Sequence, residues 1–332
     1  MLNPPPPAPE FLPMRLFRDM ACLPEDAQGA AVAIGNFDGL HRGHRSVLGT
    51  MQDIARAQGI PAAVLTFAPH PRQFFAPGTP PLALEPFHVR ARRLRALGVD
   101  ILYMARFNRA LSQMSADQFI HEMLVEKLRA RHVITGENFV FGHRRSGDAA
   151  FLATAAQAHG FGYQPVVPQS VEGYNYASTR VRESLAKGDM QQAALILGRP
   201  YEIMGRVRHG EKRGRALGYP TANLIPASLL LPAFGVYVVR YAVAEPLLPE
   251  SSPAAWRPGV AYLGTRPTYG GDAAWLEVHA LDMPEPLYGR RLRVQLLAHL
   301  RPDMVFSNEA ALQAQIGFDI SQAKHFLEAY NA

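Results

Sequence analysis

Residues 30–48 read AAVAIGNFDGLHRGHRSVL, and the change of character at Gly35 sets the reading of the whole N-terminal half. Residues 30–34 form a short, unbroken apolar run, as expected of a strand covered on both faces in a parallel sheet. Val47, Leu48, Met51 and Ile54 then recur at helical spacing, and Gly59 supplies the stop. Between strand and helix lie Gly35, Asn36, Phe37, Asp38, Gly39, His41 and His44. Free N–H groups at the start of a helix, together with its dipole, favour an anion at such a turn. Gly35, Gly39 and Gly43 let the backbone come close to it. The two imidazoles also admit a metal reading with Asp38, and a third in which their spacing is accident. Helix-borne zinc pairs sit more often at i and i+4, and no further cluster completes a ligand set. The phosphate reading is therefore preferred, with His41 and His44 donating hydrogen bonds to a transferring phosphorus group.

Outward from this turn the first half alternates. PAAVLTF (61–67), VDILYMARF (99–107), HVITG (132–136) and GFGYQPVVP (160–168) read as strands. FHVRARRLRALG (87–98), SADQFIHEMLVEKLRAR (115–131, capped by Ser115) and GDAAFLATAAQAHG (147–160) read as helices. The dense basic run RARRLR (90–95) reads as the wet face of its helix. Alternation at this pace predicts an α/β layer with a parallel sheet, whose ligands sit beyond the carboxyl ends of the strands. After GDMQQAALILGRP (188–200) the pattern changes to short strands, YEIMGRVRHG, GVYVVRYAV, VAYLG, WLEVHALD and RLRVQLLAHL, and ends in a helix from 307 to 330. This predicts a small antiparallel barrel with a C-terminal helix. The expected organisation is a Pro-rich, disordered tail over 1–20, one domain over 21–197 and a second over 198–332.

Bulk composition narrows the function classes. The 332 residues are 48% hydrophobic and 19% charged, as in a folded globular chain, and no apolar run is long enough to cross a membrane. The N-terminus lacks the layout of a signal peptide. One cysteine, Cys22, excludes a disulfide framework and cysteine-based metal sites, and fits a reducing, cytoplasmic setting. The net charge of +6 (34 basic against 28 acidic residues) suits anionic small molecules as well as nucleic acid. No nucleic-acid motif is present, so nucleic-acid binding is not expected, nor is membrane attachment. A monomer or weak homo-oligomer is expected.

Two further segments carry chemistry. In NYASTRVRESLAKGD (175–189), Ser178 and Thr179 precede a helix bearing Arg180 and Arg182. The hydroxyls either cap that helix or, with the Arg182 fork, hold phosphate oxygens. In HGEKRGRALGYPTANLIP (209–226), Gly210, Gly214 and Gly218 alternate with Lys212, Arg213 and Arg215, as in a basic flap over phosphates. Thr221 and Asn223 share one side of the extended stretch that follows, and with phosphates and water they suit Mg2+. Farther on, Glu277 and His279 share a strand face opposite Leu276 and Val278. A carboxylate in a barrel mouth there would accept a proton from an attacking alcohol. The bland readings are a glycine-rich hairpin and a solvent-facing strand residue.

Gly-Asn-Phe-Asp-Gly-x-His-x-Gly-His followed by Ser-Thr-x-x-Arg resembles the nucleotidylyltransferase superfamily. Over most of its length the chain is similar to the bacterial bifunctional riboflavin kinase/FAD synthetases. The further matches are Thr66, Phe67, Pro69, His70 and Pro71, then Gly136, Asn138, Phe139, Phe141 and Gly142 in the first half. In the second they are Gly214 to Asn223, Gly264 to Thr268, and Glu277 to His279. The resemblance implies a Rossmann-like nucleotidylyltransferase domain followed by a riboflavin kinase barrel. It implies phosphorylation of riboflavin to FMN and adenylyl transfer from ATP to FMN, with Mg2+ and release of pyrophosphate. His41, His44, Ser178, Thr179 and Arg182 would handle ATP phosphates beside the 35–39 turn. The loops with Pro69, His70, Asn138, Phe139 and Phe141 would lie near adenine or flavin. Glu277 would be the kinase base, Thr221 and Asn223 would hold Mg2+, and Gly210, Gly214, Arg215, Gly218, Pro220 and Arg266 would line the second nucleotide site. The sequence departs from the family pattern at Ala68, where an acidic residue is common, at Ala177, often serine, and at Tyr262, often asparagine. A transferase with another phosphorylated acceptor and a degenerate barrel is the alternative.

Overall fold

The computed structural model describes residues 14–168, 170–171, 174–208, 218–226, 229–244, 256–265, 274–282 and 287–331. The chain divides into two compact units, one made of the residues up to Thr79 with Phe87–Asn175, the other of Pro80–Pro86 with the residues from Tyr176 onward.

The first unit is the α/β layer. Its strands are β1 (Arg15–Phe17), β2 (Ala31–Ile34), β3 (Ala62–Ala68), β4 (Ile101–Arg106), β5 (His132–Gly136) and β6 (Gly162–Val166). They form one sheet in the order β1-β4-β3-β2-β5-β6, with every pairing parallel. Helices α1 (Arg42–Gln58), α2 (Pro71–Phe75), α3 (Phe87–Ala96), α4 (Arg109–Gln113), α5 (Ala116–Gln118) and α6 (Ala149–His159) connect them. The apolar run of β2 is buried along its whole length because two cores meet it. Val32 and Ile34 pack in one with Ile120 and Leu124, and Ala31 and Ala33 in the other with Leu48 and Met51 of α1. From β2 the chain winds outward through β3 and β4, then returns to β5 on the opposite side. The gap between β2 and β5 is thus the switch point, where a crevice opens beyond the strand ends.

Three expectations change here. Arg15–Phe17 pairs with Ile101–Tyr103 as an edge strand, so the expected tail over 1–20 does not reach past it. Ser115 does cap its helix, in a reciprocal box with Gln118, but α5 then opens into a π-helix over Phe119–Lys127. The run 90–95 is not simply a wet face, because Arg90 and Arg93 are buried beside Val89 and Leu94.

A two-residue ladder, β7 (Ser170–Val171) with β8 (Tyr174–Asn175), ends the first unit. In the second unit, α7 (Ser178–Ala186) and α8 (Met190–Leu197) precede a closed antiparallel barrel. Its strands are β9 (Tyr201–Arg208), β10 (Thr221–Leu224), β11 (Gly235–Val243), β12 (Arg257–Thr265), β13 (Ala274–Ala280) and β14 (Arg291–Arg301), in the order β10-β13-β12-β11-β14-β9. Val181, Leu185, Met190, Ile196 and Leu197 of the two helices share one apolar core with Ile203, Leu224, Tyr237, Leu276 and Val294. The C-terminal helix α9 (Glu309–Asn331) covers the outside of the barrel through Ala323 and Leu327, against Val236, Val238 and Leu297. Residues 80–86 also belong to this unit: Leu84 joins its core, Leu230 donates to the Ala83 carbonyl at 2.9 Å, and Glu85 meets Arg199 at 3.4 Å.

Candidate active sites

The turn after β2 stands at the switch point. Phe37, Gly39 and Leu40 all take positive φ, of 49°, 80° and 43°. Side chains pay roughly 1–3 kcal/mol for such backbone, so the surroundings must hold it. Phe37 and Leu40 are buried in the core against α1, and the Asn36 carbonyl accepts from Thr66 Oγ1 at 3.2 Å and from Arg90 at 2.8 Å. Arg90 also lies 3.5 Å from the Asp38 carboxylate, the two side chains being 9% and 1% exposed. Asp38 is therefore a buried brace for the turn, held by a residue of α3. No local pattern marks Arg90's role, because its partners lie 52 and 54 positions away.

The brace fixes the histidines. His41 is the N-cap of α1, its Nδ1 accepting from the His44 N–H at 3.3 Å. In the neutral ring that acceptor leaves the proton on Nε2, a donor suited to a phosphate oxygen. The His41 and His44 rings stack with centroids 3.6 Å apart, and Phe37 lies 5.2 Å from His44 on a tilted plane. A Cβ at Gly35 would come to 3.3 Å from the Phe37 ring, so glycine there leaves the ring its place. Among the described residues no three His, Cys, Asp or Glu side chains form a metal cluster, so the metal reading of the pair finds no third ligand there.

Two neighbouring strand ends add loops. After β3, Pro69 is exposed and joined to Ala68 by a cis peptide, and His70 caps α2 by accepting from the Arg72 N–H at 3.1 Å. After β5, Asn138 is exposed, whereas Phe139 and Phe141 turn inward and stack at 5.6 Å. Phe141 is buried against Phe119 and bridges Gly147, so its part is to brace the loop from beneath. Ser178, Thr179 and Arg182 belong to the second unit. Ser178 and Thr179 open α7 instead of preceding it: the N-cap is Ala177, which offers no side-chain bond. Arg182 Nε donates to the Leu82 carbonyl at 2.9 Å, which orients the guanidinium.

The second cluster lies on the barrel's outer face. Leu276 and Val278 fill the barrel, so Glu277 and His279 face outward, and not into its mouth as expected. Register pairs Glu277 with Asn223 of β10 on one side and with Tyr262 of β12 on the other, and His279 with Thr221. Asn223 is buried, and its amide nitrogen lies 3.4 Å from the Thr221 carbonyl. His279 Nδ1 lies 2.9 Å from the Pro220 carbonyl, which can only accept, so Nδ1 carries the proton. Gly218, with φ of 87°, turns the chain into this stretch. Thr221 and Asn223 carry hard oxygen donors of the kind Mg2+ accepts when phosphates and water complete its shell, and the Glu277 carboxylate stands beside them on the neighbouring strand. Gly210, Gly214, Arg215 and Arg266 lie outside the described residues.

Comparison with known proteins matches both units. The family model described as FAD synthetase matches residues 23–180, and that described as riboflavin kinase matches 197–327. A bifunctional riboflavin kinase/FMN adenylyltransferase of Pseudomonas fluorescens is 38% identical over 94% of this chain and 97% of its own length. The protein of that name from Escherichia coli K12 is also 38% identical, over 94% of this chain and 98% of its own. A crystal structure named as a macrolide-efflux protein from Streptococcus pneumoniae superposes with a TM-score of 0.81 at 27% identity, covering 94% of this chain and 98% of that one. No helix among the described residues is long and apolar enough to cross a membrane. With both family models matched in order and relatives aligned nearly end to end, this chain belongs to the bifunctional riboflavin kinase/FMN adenylyltransferase family.

Proposed function

We propose that the chain makes FMN from riboflavin and then FAD from FMN, using ATP in both reactions, at two separate sites. The observation that carries this reading is the pairing of two different chemistries in one chain: a braced histidine pair at a switch point, and Glu277 set between Asn223 and Tyr262 on a barrel. The working division follows Leu197, with adenylyl transfer in 21–197 and phosphorylation in 198–332.

In adenylyl transfer, a phosphate oxygen of FMN attacks the α-phosphorus of ATP, and the bond to the departing pyrophosphate breaks. His41 and His44 donate to the transferring group, where developing charge gains most from oriented donors. Arg182, Ser178 and Thr179 hold the β- and γ-phosphates, and the 35–39 turn accepts the nucleotide against its backbone. Pro69, His70, Asn138 and Phe139 border adenine or flavin, with Phe141 as their support. In phosphorylation, Glu277 takes the proton of the ribityl 5′-hydroxyl as its oxygen bonds to the γ-phosphorus and ADP leaves. Thr221 and Asn223 would hold Mg2+, which when bound neutralises phosphate charge. Pro220, Gly218, Gly214, Gly210, Arg215 and Arg266 shape the nucleotide side. The single, exposed Cys22 supports a reducing cytoplasmic setting, and the chain works as a monomer or weak homo-oligomer.

Incubation with riboflavin, ATP and Mg2+, with the flavins resolved by chromatography, tests the reading. His44→Ala should abolish conversion of FMN to FAD and leave riboflavin phosphorylation intact; Glu277→Ala should do the reverse. Equal loss of both activities in either variant would contradict two independent sites.

A further inference from the structure

The histidine turn follows the carboxyl end of β2, whereas the amino ends of β5 and β6 carry a concave feature of their own. A cavity of about 490 Å³ opens there, within the size range of small-molecule sites. It is lined by Gln58 at the end of α1, Val125 of the π-helix, Arg129 and Arg131 from the connection into β5, and His159 and Phe161 at the end of α6. Its charge is one-sided. Arg129 and Arg131 bring two guanidinium groups to one cavity, and neither has a carboxylate or carbonyl partner among the described residues. The carboxylate of Glu126 is committed to His121 at 3.1 Å, and the His121 ring lies 6.0 Å from that of His159. The Gln58 amide nitrogen lies 3.4 Å from His132 Nδ1, while His132 Nε2 is buried with no partner among the described residues. Cations and donors thus outnumber acceptors around the rim.

Cations beside helix C-termini also complement the helix dipole, and His159, in the last turn of α6, does so. That explanation does not cover the backbone of Arg129. It stands just past the π-helix and its C-cap Leu128, where the chain turns left-handed at φ 45° and the Ala130 N–H closes on the Leu124 carbonyl at 2.8 Å. Glycine is the usual residue at such a helix end, because it adopts this backbone without strain. An arginine there costs stability and places a guanidinium at the cavity. Strained backbone and π-helical turns both recur at functional sites, and here they adjoin.

We propose that this cavity is a further, non-catalytic nucleotide site, fitted to a nucleoside diphosphate. Arg129 and Arg131 fork onto the two phosphates, since a guanidinium matches phosphate oxygens in pairs. The base rests on the apolar wall of Val125 and Phe161, beside the His159 ring. An inorganic anion would use the arginines and leave that wall to water, and a nucleoside without phosphate would leave both guanidinium groups unmatched. Neither flavin reaction uses these residues, so the site stands apart from the readings of His44 and Glu277.

Histidine-labelled full-length chain titrated with ADP and followed by NMR tests this, with the His159 ring signal assigned by its loss in His159→Gln. That signal reports on the cavity itself, whatever ADP does at the catalytic sites. It should shift saturably with ADP, and about tenfold or more weakly with pyrophosphate or adenosine, each of which fills only part of the site. Arg131→Met should weaken the ADP response about tenfold or more. Arg129→Gly should weaken it likewise while the melting temperature holds or rises, because glycine relieves the left-handed turn. Conversion of FMN to FAD reports that both variants are folded. A His159 signal unmoved by ADP overturns the proposal, and so does an equal response to pyrophosphate, which marks a general anion patch. Arg129→Gly with a lowered melting temperature and an unchanged ADP response also overturns it, since Arg129 is then purely structural. The catalytic assignments are tested separately, by the flavin assays.

Discussion

Replacing Arg90 with methionine tests whether the turn that presents His41 and His44 is held from beneath. The Arg90–Asp38 contact is 3.5 Å long with both groups almost wholly buried. At that separation, and an effective dielectric of about 20, the attraction is about 5 kcal/mol before desolvation of the two ions is counted. Arg90 also gives the Asn36 carbonyl a charged hydrogen bond at 2.8 Å, of a kind that contributes roughly 1.5–3 kcal/mol. Desolvation offsets much of this in the intact pair. Removal of one partner is still costly, typically about 3–5 kcal/mol, because the other charge keeps its buried place. Arg90→Met should therefore lower the stability of the α/β unit by at least about 3 kcal/mol in urea unfolding followed by a probe in that unit. FAD formation should fall more than tenfold, while riboflavin phosphorylation stays within twofold. Asp38→Asn in the Arg90→Met background should recover part of the stability but not the FAD-forming rate, since the turn still lacks its tie to Asn36. A loss below about 1 kcal/mol with normal FAD formation would refute the idea that this pair braces the phosphate turn.

Three other outcomes are expected. Ala177→Ser should supply the missing cap of α7, whose N-cap backbone is already extended at φ −140° and ψ 144°; denaturant midpoints should report a gain of about 0.5–2 kcal/mol in the barrel unit. A chain ended after Leu197 should be insoluble or loosely folded by circular dichroism and dye binding. It strips cover from Val181, Leu185, Met190, Ile196 and Leu197, each worth roughly 1.5–3 kcal/mol when buried. For His299, burial holds the imidazole below its ordinary value against the pull of the Phe234 and Arg301 backbone. The unfolded chain then takes a proton below about pH 6.5 that the folded chain refuses, so the barrel loses stability as pH falls from there toward the lowered folded value. Melting temperatures at pH 7 and 5.5 should diverge less in His299→Gln than in the unaltered chain.

Much of the architecture was legible because it depends on local pattern. The apolar run 31–34 with a helical repeat after it allows little besides a buried strand feeding a helix, and Gly59 closes that helix in the left-handed conformation. The alternation around Glu277 likewise set it beside His279 and opposite Leu276 and Val278, since side chains on a strand change sides at each residue, but left open which of the two faces looks into the barrel. The short edge strand at Arg15–Phe17 is not legible in the sequence, because three residues carry no period and its pairing with β4 comes from 86 positions away. The π-helical turn at Phe119–Lys127 was equally invisible, for its residues have ordinary helical spacing.

By itself, then, the sequence determined which chemistries the chain carries: histidines at a strand-to-helix turn, hydroxyls and guanidinium on α7, oxygen donors and a carboxylate on strands. Tertiary structure alone decided what supports them. It turned Arg90 from the wet face of a helix and Asp38 from a ligand of the turn into a buried brace, placed Glu277 on the outer wall of the barrel, and set Asn223 and Tyr262 on its two flanks. It also drew Leu82 and Glu85 of the first half into the unit of the second. The physical reason is common to all four: a side chain's chemistry is local, but its burial, its partners and the face it meets are fixed by residues that only the fold brings near.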